Sequence, residues 1–256
     1  MDLELKGKRA IVLGASRGLG MAIAKSLAGE GVTVFAAARS IDKINSWADG
    51  ISGVNPVQLD LSDIDAVDAL AEALLKDGGV DIIVNNGGGP PPGTALASAR
   101  TAWISHFEPM AANIFHFNGR LLPKMQERKW GRIISIASSG VEQPIPNLAL
   151  SNGIRAAVVG WSKTLASEVA SDGITVNVVL PGRIHTQRVD ELDAAAAKRT
   201  QSDVTEVAAK SRSTIPAGRY GKPEEFADVV TFLASVRASY VTGSQIRIDG
   251  GAIRSV

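Results

Sequence analysis

Cysteine is absent from the 256 residues, which excludes disulfide bonds, thiolate catalysis and cysteine-held metals together. Histidine is scarce, and His185 has no ligand-type neighbour at metal spacing, so no metal site is expected. Tyrosine occurs only as Tyr220 and Tyr240, which leaves few phenols for acid–base chemistry. A charge excess is also missing: 27 Lys and Arg stand against 26 Asp and Glu. No basic field points to nucleic acid or to an acidic membrane surface, so the expected partner is a small molecule. No apolar run approaches the ~18 residues of a membrane span. The start, Met-Asp-Leu-Glu-Leu-Lys, is charged where a signal peptide needs an apolar stretch. These absences lead to the expectation of a cytoplasmic protein.

What is present suits a globular chain. With 45% hydrophobic residues, residues 1–256 can bury a large core as one domain. Short β-branched runs at 8–13, 32–38, 55–59, 80–84, 130–137, 173–180 and 245–249 read as strands. They alternate with segments of helical period, which predicts an α/β fold: a doubly wound parallel sheet of about seven strands with helices on both faces. Leu19, Ile23 and Leu27 mark one helical stripe, and Ile64, Val67, Leu70 and Leu74 another. The segment 99–128 carries Trp103, Phe107, Met110, Ile114, Phe117 and Leu121. The segment 148–170 carries Ile154, Val158, Trp161, Leu165 and Val169. Gly and Pro clusters at 87–93, 181–182 and 250–251 fall at strand ends, where such sheets place their ligand loops. The polar segment 187–215 reads either as a substrate lid or as a surface helix.

Directly after the first strand comes Gly14-Ala15-Ser16-Arg17-Gly18-Leu19-Gly20, and a helical run follows it. Glycines permit a tight turn and close approach of backbone to a pyrophosphate. The helix N-terminus offers free N–H groups and the positive end of its dipole. Between a strand and a helix this loop predicts dinucleotide binding.

The spacing Gly-x-x-x-Gly-x-Gly resembles that of the short-chain dehydrogenase/reductase family, and further matches follow in order. Asp60-Leu61 resembles the family's adenine-pocket element, and Asn85-Asn86-Gly87-Gly88 the element after its fourth strand. Gly131 to Ser139 is similar to the strand that delivers the active-site Ser, here Ser138. Pro181-Gly182 with Thr186 resembles the nicotinamide-contacting loop, and Gly243 with Asp249-Gly250-Gly251 the last strand. The nearest branch is that of 3-oxoacyl-(acyl carrier protein) reductase-like proteins. The resemblance implies an oxidoreductase with a Rossmann fold that interconverts a small carbonyl compound and its alcohol, assembled as a homotetramer. The cofactor follows from charge. The end of the second strand, Phe35-Ala36-Ala37-Ala38-Arg39-Ser40, lacks the acid that would bind a ribose 2′-OH, while Arg39 and Arg17 suit a 2′-phosphate, so NADP(H) is expected.

The catalytic positions depart from the family pattern of Ser, Tyr, a Lys after the Tyr, and a helical Asn. Counting along the matching segments puts Ser151 in the place of Tyr, Arg155 in that of Lys and Met110 in that of Asn. A serine hydroxyl is a far weaker acid than a phenol, and arginine stays protonated above about 12. Ser151 and Arg155 still share one helix face, and Arg155 suits ribose or an anionic substrate group. Met110 lies on an apolar stripe and reads as core. His185 is either a replacement proton carrier or a loop histidine without chemical duty, and Arg183 is a second candidate for an anionic substrate. The alternatives are a nucleotide-binding protein without hydride transfer, or a lyase or isomerase on the same fold.

Overall fold

The computed structural model describes residues Met1–Ser255. One seven-stranded parallel sheet runs in the order β3-β2-β1-β4-β5-β6-β7. The strands are β1 (Arg9–Leu13), β2 (Thr33–Ala38), β3 (Val54–Gln58), β4 (Ile82–Asn85), β5 (Gly131–Ile136), β6 (Ile174–Pro181) and β7 (Gln245–Ile248). All seven expected strands form, their ends shifted by at most two residues. The helices are α1 (Gly18–Gly29), α2 (Ile41–Ala48), α3 (Ile64–Lys76), α4 (Arg100–Phe107), α5 (Asn113–Arg128), α6 (Ala149–Val169), α7 (Gln187–Thr200), α8 (Val204–Ser213) and α9 (Pro223–Ala234).

The near-continuous apolar strands are explained by burial on both faces. Successive residues of β1 part company: Ala10 and Val12 join Ile23, Leu27, Phe226 and Val230 beneath α1 and α9. Ile11 and Leu13 join Val67, Phe117, Leu121 and Leu165 beneath α3, α5 and α6. Truncating a fully buried ring such as Phe117 or Phe226 costs about 3–5 kcal/mol. The strand order reverses between β1 and β4, so the loops at their carboxyl ends diverge and open a crevice there.

The segment expected as one helix over 99–128 is interrupted by a π-helical turn at Glu108–Ala112. Pro109, with no N–H to donate, lies in that turn. The wider turn breaks the expected stripe: Phe107 is 38% exposed, whereas Met110, Ile114, Phe117 and Leu121 are buried. Ile64, expected on a buried stripe, opens α3 and is 42% exposed. The segment 187–215 forms α7 and α8, which bury little beyond Val189, Asp193 and Ala197.

A polar cluster sits inside this apolar frame. Asn85 and Ser135 are register partners on β4 and β5, and Asn85 donates to Ser135 Oγ at 3.1 Å. Asn118 of α5 donates to Asn85 Oδ1 at 2.9 Å and to the Ile114 carbonyl at 2.7 Å. All three side chains are buried.

Candidate active site

The crevice begins at the glycine loop. Gly14 and Gly18 have φ of +63° and +57°, the left-handed region that glycine enters without strain. A Cβ on Gly14 would lie 2.3 Å from the Asn86 carbonyl oxygen, and one on Gly20 the same distance from the Gly14 carbonyl. These two glycines let the loop close onto the end of β4, where Asn86 Nδ2 donates to the Gly14 carbonyl at 3.2 Å. Gly18 instead faces space bounded by the methyl group of Thr186. Ser16 is half-buried on this loop, and Leu19 packs against the core from the first turn of α1. Arg17, the N-cap of α1, supplies no side-chain cap, and no acid lies in the first turn. The N–H groups there remain available to an anion, as a pyrophosphate site requires. Trp47 of α2 braces the loop from behind by donating to the Ala15 carbonyl at 3.1 Å.

The two expected 2′-phosphate ligands differ. Arg39, at the end of β2, has no ion-pair partner among the described residues. Arg17 instead pairs with Glu191 of α7 at 2.8 Å, a contact the sequence did not reveal. Asp60 accepts from the backbone and hydroxyl of Ser62 at 3.0 and 2.7 Å. Those bonds, helped by the Arg39 charge, hold its carboxyl below the usual carboxylate range against some desolvation. The Leu61 carbonyl accepts from Asn113 at 2.8 Å, which fastens this edge of the crevice to α5.

At the other end, Ser138 ends the segment after β5 and accepts from the Gly140 N–H at 3.1 Å; its own hydroxyl proton remains free to donate. The loop 87–93 is tied to the start of α6 through Gly93, which donates to the Asn147 carbonyl at 2.8 Å and accepts from Ala149 at 3.1 Å. That tie positions the first turn of α6 and with it Ser151. Asn152, next along, donates to the Ile145 carbonyl at 3.0 Å, while its Oδ1 is buried without a partner. The same oxygen would lie 2.5 Å from a Cβ on Gly140, so only glycine fits there.

One turn on, Arg155 donates to the Ile136 carbonyl at 2.6 Å and shares a small cavity with Gly87, Gly88, Met110 and Ile114. Burial lowers its pKa to about 10, so it stays charged at neutral pH. No carboxylate pairs with it among the described residues. Met110 is 8% exposed and packs with Leu150, Ile154 and Val158.

The loop Pro181 to Thr186 has two sides. Gly182 packs against Asp249, where a Cβ would lie 2.6 Å from the Asp249 Cα, and Thr186 reaches Gly18. His185 leaves on the other side. Its Nε2 lies 3.2 Å from Asp190, and its ring lies 6.2 Å from that of Tyr220, in a cavity whose walls include none of Ser138, Ser151 and Arg155. Arg183 is likewise engaged, 3.1 Å from the buried Asp193. Tyr220 donates to the same carboxylate at 2.7 Å, and its pKa is raised chiefly by desolvation, so it remains protonated. Tyr240 is fully exposed. Ser138, Ser151 and Arg155 therefore share the end of β5 and the start of α6, and His185 stands apart from them. Among the described residues no cluster of His, Asp and Glu is placed to hold a metal, and no helix is long and apolar enough to cross a membrane.

Residues 14–252 match the family described as Enoyl-(Acyl carrier protein) reductase. The chain is 35% identical over 254 residues to the 3-oxoacyl-[acyl-carrier-protein] reductase FabG of Vibrio cholerae, covering 97% of this chain and 98% of that one. The FabG of Escherichia coli matches at the same identity and coverage. Among solved structures, L-sorbose reductase from Gluconobacter frateurii, complexed with NADPH and L-sorbose, superposes with a TM-score of 0.94 at 33% identity over the whole of both chains. YwfH, an NADPH-dependent reductase involved in bacilysin biosynthesis, superposes at 0.92 with 30% identity, covering 97% of this chain and 99% of that one. The glycine cradle, the parallel strand order and these likenesses over nearly the full length converge: the chain belongs to the short-chain dehydrogenase/reductase family of oxidoreductases.

Proposed function

We propose that this chain is an NADP(H)-dependent oxidoreductase that interconverts a small carbonyl compound and its alcohol. The observation that carries the reading is the uncapped, glycine-lined N-terminus of α1 beside an unpaired Arg39, with no acid at the end of β2. NADPH in the solved structures of relatives supports the same cofactor. The residues present fit that group: Gly14, Ser16, Gly18, Leu19 and Gly20 cradle its phosphates, and Arg39, joined by Arg17, holds the 2′-phosphate. Asp60, Leu61, Asn86 and Gly87 line the groove, and Pro181, Gly182 and Thr186 close its far end. Bound there, the reduced dinucleotide supplies a hydride.

The chain's own part is positioning and polarisation. Ser138 donates its hydroxyl proton into a hydrogen bond with the substrate oxygen. Arg155 holds ribose hydroxyls or an anionic substrate group, because a half-buried guanidinium with one acceptor and no counter-charge favours such a partner. Ser151 stands where a phenol would deliver the proton, and its short side chain makes it a weak donor. The polar α7 and α8 act as the lid over this end, with Arg17 and Glu191 as one point of attachment. Exposed Ile104 and Phe107 on α4 and the stacked Phe115 and Trp161 on α5 and α6, 4.5 Å apart, support a homotetramer built on these helices.

The deciding experiment is NADPH oxidation against a panel of small carbonyl compounds. Turnover supports the reading. Tight NADPH binding without turnover on any compound replaces it with a nucleotide-binding protein without hydride transfer, a reading favoured by the absence of both tyrosines from the site.

A further inference from the structure

The cavity behind loop 181–186 is separate from the cofactor crevice and has its own chemistry. It has a volume of about 340 Å³ and lies between α7, α8 and residues 219–222. That is the small end of the range for ligand pockets, roughly 300–1,000 Å³. Of the nominated site residues only His185 reaches it.

Its charges do not cancel. Asp193, 4% exposed, is satisfied by Arg183 and Tyr220. Asp190 lies within hydrogen-bond distance of the His185 imidazole, at 3.2 Å, and Arg219 is held at both ends by Glu225, at 2.7 and 2.6 Å. Arg212 and Lys222 remain, and neither side chain has an ion-pair partner among the described residues. Arg212 is held over the Tyr220 ring at 5.6 Å, and the ring is fixed by the bond from its hydroxyl to Asp193. The cavity wall thus includes both a planar fork and a point charge, groups that suit phosphate or carboxylate oxygens. Val204 and Ala208 of α8 give the cavity an apolar wall.

We propose that this cavity binds a small organic anion, with its phosphate or carboxylate head between Arg212 and Lys222 and a short apolar body against Val204 and Ala208. The site is independent of the cofactor groove. Helix α7, which lines the cavity through Asp190 and Asp193, also carries Glu191 to Arg17, so one element borders both sites.

The test is calorimetric titration of the full chain with butyl phosphate, butanoate and inorganic phosphate, with no turnover required. Saturable binding is expected, tighter for whichever butyl anion carries the fitting head than for inorganic phosphate. It should weaken about tenfold or more in Arg212→Gln and in the exposed Lys222→Gln, and persist in Arg39→Ala and Arg155→Gln. Three results would overturn the proposal: no saturable binding of any probe below about 10 mM, binding indifferent to both Arg212→Gln and Lys222→Gln, or binding lost in Arg39→Ala, which would place the anion in the cofactor groove. None of these outcomes bears on whether NADPH is oxidised.

Discussion

Arg155 donates to the carbonyl of Ile136 at 2.6 Å, so the last residue of β5 and the second turn of α6 are joined by a guanidinium. This bond uses one guanidinium nitrogen, and Arg155 lines a small cavity together with Gly87 and Gly88. With a pKa lowered to about 10 by burial, the group still stays charged in neutral solution, as the proposed holding role requires.

Arg155→Gln is therefore expected to weaken NADPH binding by about tenfold or more, because a charge-assisted contact is lost. Fluorescence titration reads the change. Unaltered affinity would restrict Arg155 to its tie with Ile136.

The preference for NADPH over NADH should fall by about tenfold in Arg39→Ala, whose side chain is free to meet a 2′-phosphate. Arg17→Ala should change it less, because Arg17 must first leave Glu191. A wild-type protein that favours NADH would contradict the assignment of both arginines.

Ser138→Ala is expected to reduce turnover about 10²-fold or more, as for loss of a donor to a developing oxyanion. Ser151→Ala should cost far less, since serine is a poor acid. His185→Ala should leave the pH profile intact, because its imidazole faces Asp190 and Tyr220. A titration near ~6–7 that vanishes in His185→Ala would restore histidine as the proton source. Steady-state kinetics of the three variants separate these outcomes.

The bidentate Arg219–Glu225 pair makes a prediction about acid. The hydrogen bond from Arg219 is the main cause that holds the Glu225 carboxyl at about 2, against an ordinary 4.5. A depressed folded-state pKa means the pair's contribution is complete above about 4.5 and is lost as pH falls toward 2. Glu225→Gln should thus be less stable than the parent at neutral pH, by a modest amount for so exposed a pair. The gap should close across that acid window, as read by denaturant midpoints at each pH.

Light scattering is expected to give four times the chain mass of 26.7 kDa. Substituting Phe107 by a charged residue should shift the population toward smaller species. A parent that is monomeric at micromolar concentration would contradict the tetramer.

The sheet was legible because a parallel strand buried on both faces leaves a dense apolar run that few other structures produce. The glycine loop was legible because its spacing answers a steric demand, seen in the Gly14 approach to Asn86. The break at Glu108–Ala112 was not, since apolar period alone does not register a wider turn and Pro109 is tolerated there. Arg17 shows a second limit: its charge is written in the chain, but its partner Glu191 lies 174 residues away and is brought close only by the fold. His185 shows the third. Proximity in sequence to Gly182 and Thr186 placed it near the crevice, yet successive residues of an extended loop point to opposite sides, and it faces the other cavity.

The buried trio of Asn85, Ser135 and Asn118 acts as a locating pin for the catalytic end of the sheet. A one-residue slip between β4 and β5 would turn Ser135 to the face opposite Asn85 and leave these buried polar groups short of partners, at about 1–3 kcal/mol for each orphaned group. Apolar contacts elsewhere in the sheet tolerate small adjustments among similar shapes, whereas hydrogen bonds of fixed length do not. The position of Ser138, three residues beyond Ser135, is therefore set by polar complementarity in the interior. Aliphatic replacements across the core should leave the site where it is, and an apolar replacement of Asn85 should displace it even in a protein that still folds.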